Sequence, residues 1–160
     1  MPTRIRASVD PERSRTEART ARGHAIVMDA DPPYGDDSAA GPKETMLAAL
    51  AGCTAMDVAS ILRKKRQTAA TYELDVTAES ADEHPKVYTN IVVLHRLTGD
   101  VAPEALRRSI ELSATQYCPV NAMMSAVSRI EHRYHLTDAA GAVHEARVAV
   151  VGPNRAVLVG

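Results

Sequence analysis

Apolar and polar residues alternate along the first part of the chain in three short runs. "RIRASV" sets Ile5, Ala7 and Val9 against Arg and Ser, and "SRTEART" and "HAIVMDA" follow across "DPER" and "ARG". Period-two alternation broken by turn residues predicts strands, so residues 1–29 read as a three-stranded antiparallel meander. The thirteen residues from Ala30 to Pro42, "ADPPYGDDSAAGP", predict an irregular loop, of a length often given over to function. Pro42 then suits a first helical position, and Glu44 falls at N3, where its carboxylate can reach back to the open amide near Gly41. A helix is predicted over 42–66. Its first two thirds are apolar nearly all round, which predicts enclosure on most sides, and "RKKRQ" carries its end into solvent with cations suited to the dipole.

The pattern then returns to strands. "TYELDVTAES" and "VYTNIVVLHRL", joined by "ADEHPK", predict a strand pair. Pro103 opens a stretch with Leu106, Ile110 and Leu112 at roughly helical spacing, so helices are expected over 103–127. "SRIEHRYHL" predicts another strand, and a C-terminal extension over 137–160 ends in a hairpin across "GPNR". The sum is an α+β chain read as a single domain, 1–160, without repeat, heptad run or low-complexity segment.

A content of 45% hydrophobic and 24% charged residues fits one globular domain. The chain has no Phe, no Trp, five Tyr and six Met, so the core must come from small aliphatic residues and Met. These fill volume poorly, and oligomerisation is expected to help. A net charge of −1 without a basic block removes the main term in nucleic-acid binding, so no nucleic-acid partner is expected. The stretch Met46 to Leu62 is interrupted by Gly52, Thr54, Asp57 and Ser60, and is expected to be too polar and too short to span a bilayer. "MPTRIRASVD" has no apolar core of the secretory kind. The cytoplasm is therefore expected, where thiols are kept reduced and a cysteine pair is more often catalytic or redox-sensing than a static crosslink.

The two cysteines are Cys53, in "LAALAGCTAMDVASIL", and Cys118, in "QYCPVNAMMS". A residue before proline is biased away from the α region, which places Cys118 at a helix N-cap with Pro119 at N1. The amides and dipole there predict a lowered thiol pKa. Cys53 sits mid-helix, where the dipole helps little and burial would raise its pKa. Asp57 is one turn on and opposes thiolate formation unless it orients an arginine. Each cysteine alone could be core filler. The pair, on two helices expected to pack together, suggests joint chemistry.

"GPKETMLAALAGCTAMDVASILRK" and "QYCPVNAMM", 65 positions apart at their cysteines (118 minus 53), resemble the motifs of the OsmC/Ohr superfamily of osmotically inducible and organic-hydroperoxide-resistance proteins. The likeness runs from "RGHAIVMDA" through "EHPKVYTNI" to the strand after Cys118 and stops near Thr137. "AALAGCTAMDV" is more similar to the less characterised OsmC-like branch than to the hydroperoxide reductases proper. The resemblance implies an intertwined homodimer with antiparallel sheets wrapped around a long central buried helix and active sites at the subunit interface. It implies a cysteine peroxidase in which Cys53 attacks an organic hydroperoxide, Cys118 resolves the sulfenic acid to a disulfide, and a dithiol such as a lipoylated protein reduces it. Cofactor and metal are not needed. A non-enzymatic redox-sensing or hydrophobic-ligand-binding dimer is the alternative.

Active members also use an N-terminal arginine and a glutamate at the helix start. Arg13, Arg15, Arg19 and Arg22 lie in the right region, none in a matching motif. Glu44 is the acid available, but nine steps of about 100° put it opposite Cys53 on a regular helix, so capping and catalysis both stay open. His24, His84, His95, His132, His135 and His144 show no paired ligand motif; His132 and His135 fall on opposite faces of a strand and read as surface or structural. Met56, Met123 and Met124 either line an apolar pocket or fill the core.

Overall fold

The computed structural model describes residues 2–153 and 155–159. The backbone divides into two compact units, residues 1–48 and 49–160. In the first, β1 (Ile5–Val9), β2 (Thr16–Thr20) and β3 (Ala25–Met28) form the antiparallel meander read from the alternation. The loop that follows is organised by Asp29, a buried carboxylate that accepts the Ser38 amide at 2.9 Å, the Ser38 hydroxyl at 2.6 Å and the Ala30 amide at 2.9 Å. The hydroxyl and amide of Ser38 hold its pKa down to about 2.

Helix α1 (Pro42–Lys64) begins at the predicted proline. The Gly41 amide donates to Glu44 Oε2 at 2.8 Å, the reach-back expected of an acid at N3. The expectation of a helix enclosed on most sides is not met within one chain. A single stripe, Leu50, Thr54, Val58 and Leu62, is buried, at the four-residue spacing that marks one helix face. Met46 and Met56 are 51% and 72% exposed. The expectation that this stretch is too short and polar to cross a bilayer is also corrected, since by length and composition alone α1 qualifies. Its interrupting polar residues are nonetheless engaged with the protein, as Thr54 is fully buried and Asp57 accepts a hydrogen bond from Ser113.

The second unit is built on a five-stranded sheet ordered β4-β5-β6-β7-β8. β4 (Thr68–Ser80) and β5 (Tyr88–Asp100) are the expected antiparallel pair. β6 (Arg129–Asp138), β7 (Val143–Gly152) and β8 (Arg155–Leu158) continue it, so the C-terminal hairpin is present; Asn154 of its predicted turn lies outside the described residues. The segment beyond Thr137 is no appendage, because Val148, Ala149 and Val151 are core residues.

The expectation of purely antiparallel sheets is corrected at one place. β5 and β6 run parallel, from Asn90 opposite Arg129 to Gly99 opposite Asp138. A parallel pair needs a long crossover. Here it is α2 (Pro103–Leu112), a π-helical turn (Ser113–Tyr117) and α3 (Pro119–Met124), where a single α-helix was expected up to Cys118. Leu106, Ile110 and Ala114 of the crossover pack with Val58 and Leu62 of α1, Leu97 of β5, Tyr134 and Leu136 of β6 and Val148 of β7. On that sheet face the alternate residues Ile91, Val93, His95 and Leu97, and Ile130, His132, Tyr134 and Leu136, are all buried.

Candidate functional site

Cys118 stands at the break between the π-helical turn and α3. Its backbone is extended (φ −75°, ψ 104°), as a residue before proline requires, and Pro119 opens the helix. The Asn121 amide donates to Cys118 Sγ at 3.3 Å, so the sulfur takes the place of an N-cap oxygen. Thr54 Oγ1, from the buried stripe of α1, donates to the same sulfur at 3.7 Å. The two sulfurs and the Asp57 carboxylate lie within 4.8 Å of one another, and both cysteines are free. A disulfide is about 2 Å long, so less than about 3 Å of movement would close it.

The expected lowering of the Cys118 pKa is corrected. Burial pushes this thiol up to about 11, and its hydrogen bond with Cys53 adds to the rise. The Asn121 amide and the Thr54 hydroxyl pull the other way and lose. The residue is 3% exposed, and desolvation outweighs what one amide at the start of a six-residue helix supplies. Cys53 is half-buried, the less buried residue of the two.

Glu44 and the four candidate arginines belong to the N-terminal unit. Glu44 caps α1. Arg13 pairs with Asp36 at 3.3 Å, Arg19 pairs with Glu17, and Arg15 and Arg22 are exposed, all within the N-terminal unit. Met124 is buried, whereas Met56 and Met123 are exposed. A groove of about 570 Å³ lined by Val92, Leu94, Arg96, Arg133 and Arg147 includes neither cysteine. Cys53, Asp57 and Cys118 form a donor set that could hold a thiophilic divalent cation once both thiols were deprotonated, a step that burial of Cys118 opposes.

Sequence reasoning missed a second group. His95 and His132 are fully buried, and neither is a surface residue. Tyr72 Oη lies 2.7 Å from His95 Nδ1, His95 Nε2 lies 3.4 Å from His132 Nδ1, and His132 Nε2 lies 2.9 Å from Asn121 Oδ1. Asn121 Nδ2 donates to the Ala114 carbonyl at 2.8 Å. The signal was phase: His95 shares its strand face with Ile91, Val93 and Leu97, and His132 shares its own with Ile130 and Leu136.

Residues 35–133 match the family model described as OsmC-like protein. The protein YhfA of Escherichia coli (strain K12) is 38% identical over 121 residues, which cover 75% of this chain and 88% of that protein. Among solved structures, a hypothetical protein from Aquifex aeolicus VF5 is similar with a TM-score of 0.77 at 23% identity, over 86% of this chain and 98% of that one. The organic hydroperoxide resistance protein OhrB of Bacillus subtilis is similar with a TM-score of 0.60 at 9% identity, over 84% and 98%. Both likenesses are of fold, the α+β arrangement of two sheets and a long helix.

Proposed function

The chain belongs to the OsmC-like protein family, and on that premise we propose that it is a dithiol peroxidase acting on organic hydroperoxides. The observation that supports this most is the approach of Cys53 and Cys118 to within 4.8 Å, with the first residue half-buried and the second buried. The Cys53 thiolate attacks the distal oxygen of ROOH. The O–O bond breaks, RO⁻ leaves and takes a proton to become ROH, and Cys53 is oxidised to the sulfenic acid. Cys118 then attacks that sulfur, hydroxide leaves and is protonated to water, and a disulfide forms. A small dithiol or lipoyl-type reductant restores both thiols by exchange. The roles follow the burial: the thiol held near pKa 11 stays protonated and waits, while the accessible one meets the peroxide. A reducing cytosol is the compartment that suits this cycle.

A second copy of the chain is part of the reading. The exposed apolar surface of α1, including Met46 and Met56, is what a partner subunit would cover. One observation favours a second reading, a redox-sensing dimer that oxidises slowly. The neighbour within 4.8 Å of both sulfurs is the Asp57 carboxylate, an acid where an activating cation would be expected. Stopped-flow measurement of thiol loss separates the two. Rapid loss with cumene hydroperoxide, faster than with hydrogen peroxide, supports the peroxidase; a rate no greater than that of free cysteine with either oxidant removes it.

A further inference from the structure

The π-helical turn before Cys118 creates a defect that something must repair. The Cys118 amide donates to the Ser113 carbonyl at 3.0 Å, five residues back, and not to Ala114. The next donor in that ladder would be residue 119, which is proline and has no N–H. The carbonyl of the buried Ala114 therefore has no donor from its own ladder, an expensive state. Asn121 Nδ2 fills the gap at 2.8 Å, and the backbone amide of the same residue holds Cys118 Sγ. Asn121 thus ties both sides of the break together.

That bond also sets the direction of everything behind it. With Nδ2 committed to Ala114, Asn121 presents Oδ1, an acceptor only, to His132, whose Nε2 must carry the proton. In a neutral ring Nδ1 then accepts, so His95 must donate from Nε2, and its own Nδ1 accepts from the Tyr72 hydroxyl. Burial keeps both rings neutral, His132 down to about 4 and His95 also well below the ordinary imidazole range. The chain runs one way: Tyr72 to His95 to His132 to Asn121.

We propose that Tyr72, His95, His132 and Asn121 are positioning residues that hold Cys118 at its N-cap, with its sulfur aimed at Cys53, so that the disulfide closes quickly once Cys53 is oxidised. None of the four touches the peroxide. The chain reaches from β4 across β5 and β6 to the one turn that carries the resolving sulfur, and each of its side-chain nitrogens and oxygens has a partner. It acts on disulfide closure and not on the first oxidation. The inference rests on Cys53 and Cys118 being a redox couple, as the proposed function requires.

Two measurements on the intact protein test it. The first uses no peroxide: the equilibrium between the dithiol and the Cys53–Cys118 disulfide in dithiothreitol buffers. The second is single-turnover oxidation by cumene hydroperoxide, with the sulfenic acid trapped by dimedone. His132→Leu removes the donor to Asn121 and is expected to disfavour the disulfide and slow its closure, each about tenfold, the size of one lost buried hydrogen bond. Sulfenic acid formation keeps its rate. His132→Gln, which restores an N–H, recovers most of the loss, and Tyr72→Phe, which deletes only the first hydroxyl, gives about a two- to threefold effect in the same direction. Wild-type closure and equilibrium in a folded His132→Leu protein would overturn the proposal. If that variant does not fold, Tyr72→Phe and the ¹⁵N resonances of the wild-type rings decide. Both imidazoles must be neutral and protonated at Nε2 even at about pH 5, where an exposed imidazole is charged; a charged ring or the other tautomer overturns it. If peroxide leaves wild-type Cys53 untouched, the peroxidase reading fails, and the dithiothreitol equilibrium still tests the chain.

Discussion

The surroundings of the two cysteines are built on opposite principles. Cys53 lies on an unbroken helix held by one apolar stripe, and it is only half-buried. Cys118 lies at a break in helical structure, buried to 3%, with its sulfur and its neighbouring carbonyl each held by a hydrogen bond. One residue is accessible and loosely specified, the other shielded and specified closely. For a two-step thiol reaction that difference is a division of labour. The first step needs access to a diffusing oxidant, and the second needs a thiol that ignores the oxidant yet stands ready for its partner.

Single cysteine substitutions should break the comparison most sharply. Cys53→Ser is expected to abolish oxidation by cumene hydroperoxide, a loss of about a thousandfold or more as for removal of any nucleophile. Cys118→Ser should keep the first step and stop at a sulfenic acid visible by mass spectrometry. The reverse pattern would show that Cys118 attacks and Cys53 resolves.

The faces of α1 offer the next largest effect. Leu62 belongs to the core, 3% exposed, and Leu62→Ala should cost about 2–5 kcal/mol in urea unfolding. Met56→Glu, at an exposed position, should leave secondary structure unchanged and convert a dimer to a monomer in sedimentation velocity. Were the wild-type chain monomeric, the apolar surface of α1 would lose its assigned partner.

The buried histidines predict an acid limit to stability. His132 is held down to about 4, against 6.5 for the unfolded chain, by burial beside His95 of β5 and Asn121 of α3. Between those values the unfolded state binds the proton and the folded state does not. Stability is therefore whole above about pH 6.5 and falls as pH drops towards 4, by about 3 kcal/mol for this residue. The lowered pKa of His95 acts in the same direction. Urea midpoints at pH 7 and 4.5 would show it, and His132→Gln should flatten the slope. At the Cys118 turn it is the rate that rises with pH: with the thiol near 11, disulfide closure should quicken as pH rises from 8 to 10.

Much of this was legible in the residues. Alternation gave the meander and the β4–β5 pair, Pro42 with Glu44 gave the start of α1, and Cys118 before Pro119 gave the N-cap, because each signal is local. The parallel pairing of β5 with β6 was not legible, since it is decided by the path of the crossover and not by either strand. The π-helical turn was hidden because "SATQY" continues ordinary helical composition, and only the missing N–H of Pro119 hints at the orphaned carbonyl. For the histidines the information lies in strand phase, which sets His95 and His132 among the buried apolar positions, and not in metal-ligand spacing. The pKa of Cys118 is not legible locally, since the helix N-terminus is a local signal and the burial that outweighs it comes from tertiary packing.

The smallest expected effect concerns Glu44, where cap and catalyst make different demands. A cap needs only an acceptor oxygen for the Gly41 amide, which glutamine supplies as well as glutamate. Glu44→Gln should thus change neither stability nor the rate of thiol loss. Glu44→Ala leaves the amide to water and should cost about 0.5–1 kcal/mol in urea unfolding, with the same peroxide rate. A tenfold slower oxidation in Glu44→Gln, with unfolding unchanged, would mean that the carboxylate charge acts in the reaction. The accessible site would then be specified as closely as the buried one, and the contrast between the two cysteines would narrow to their solvent exposure.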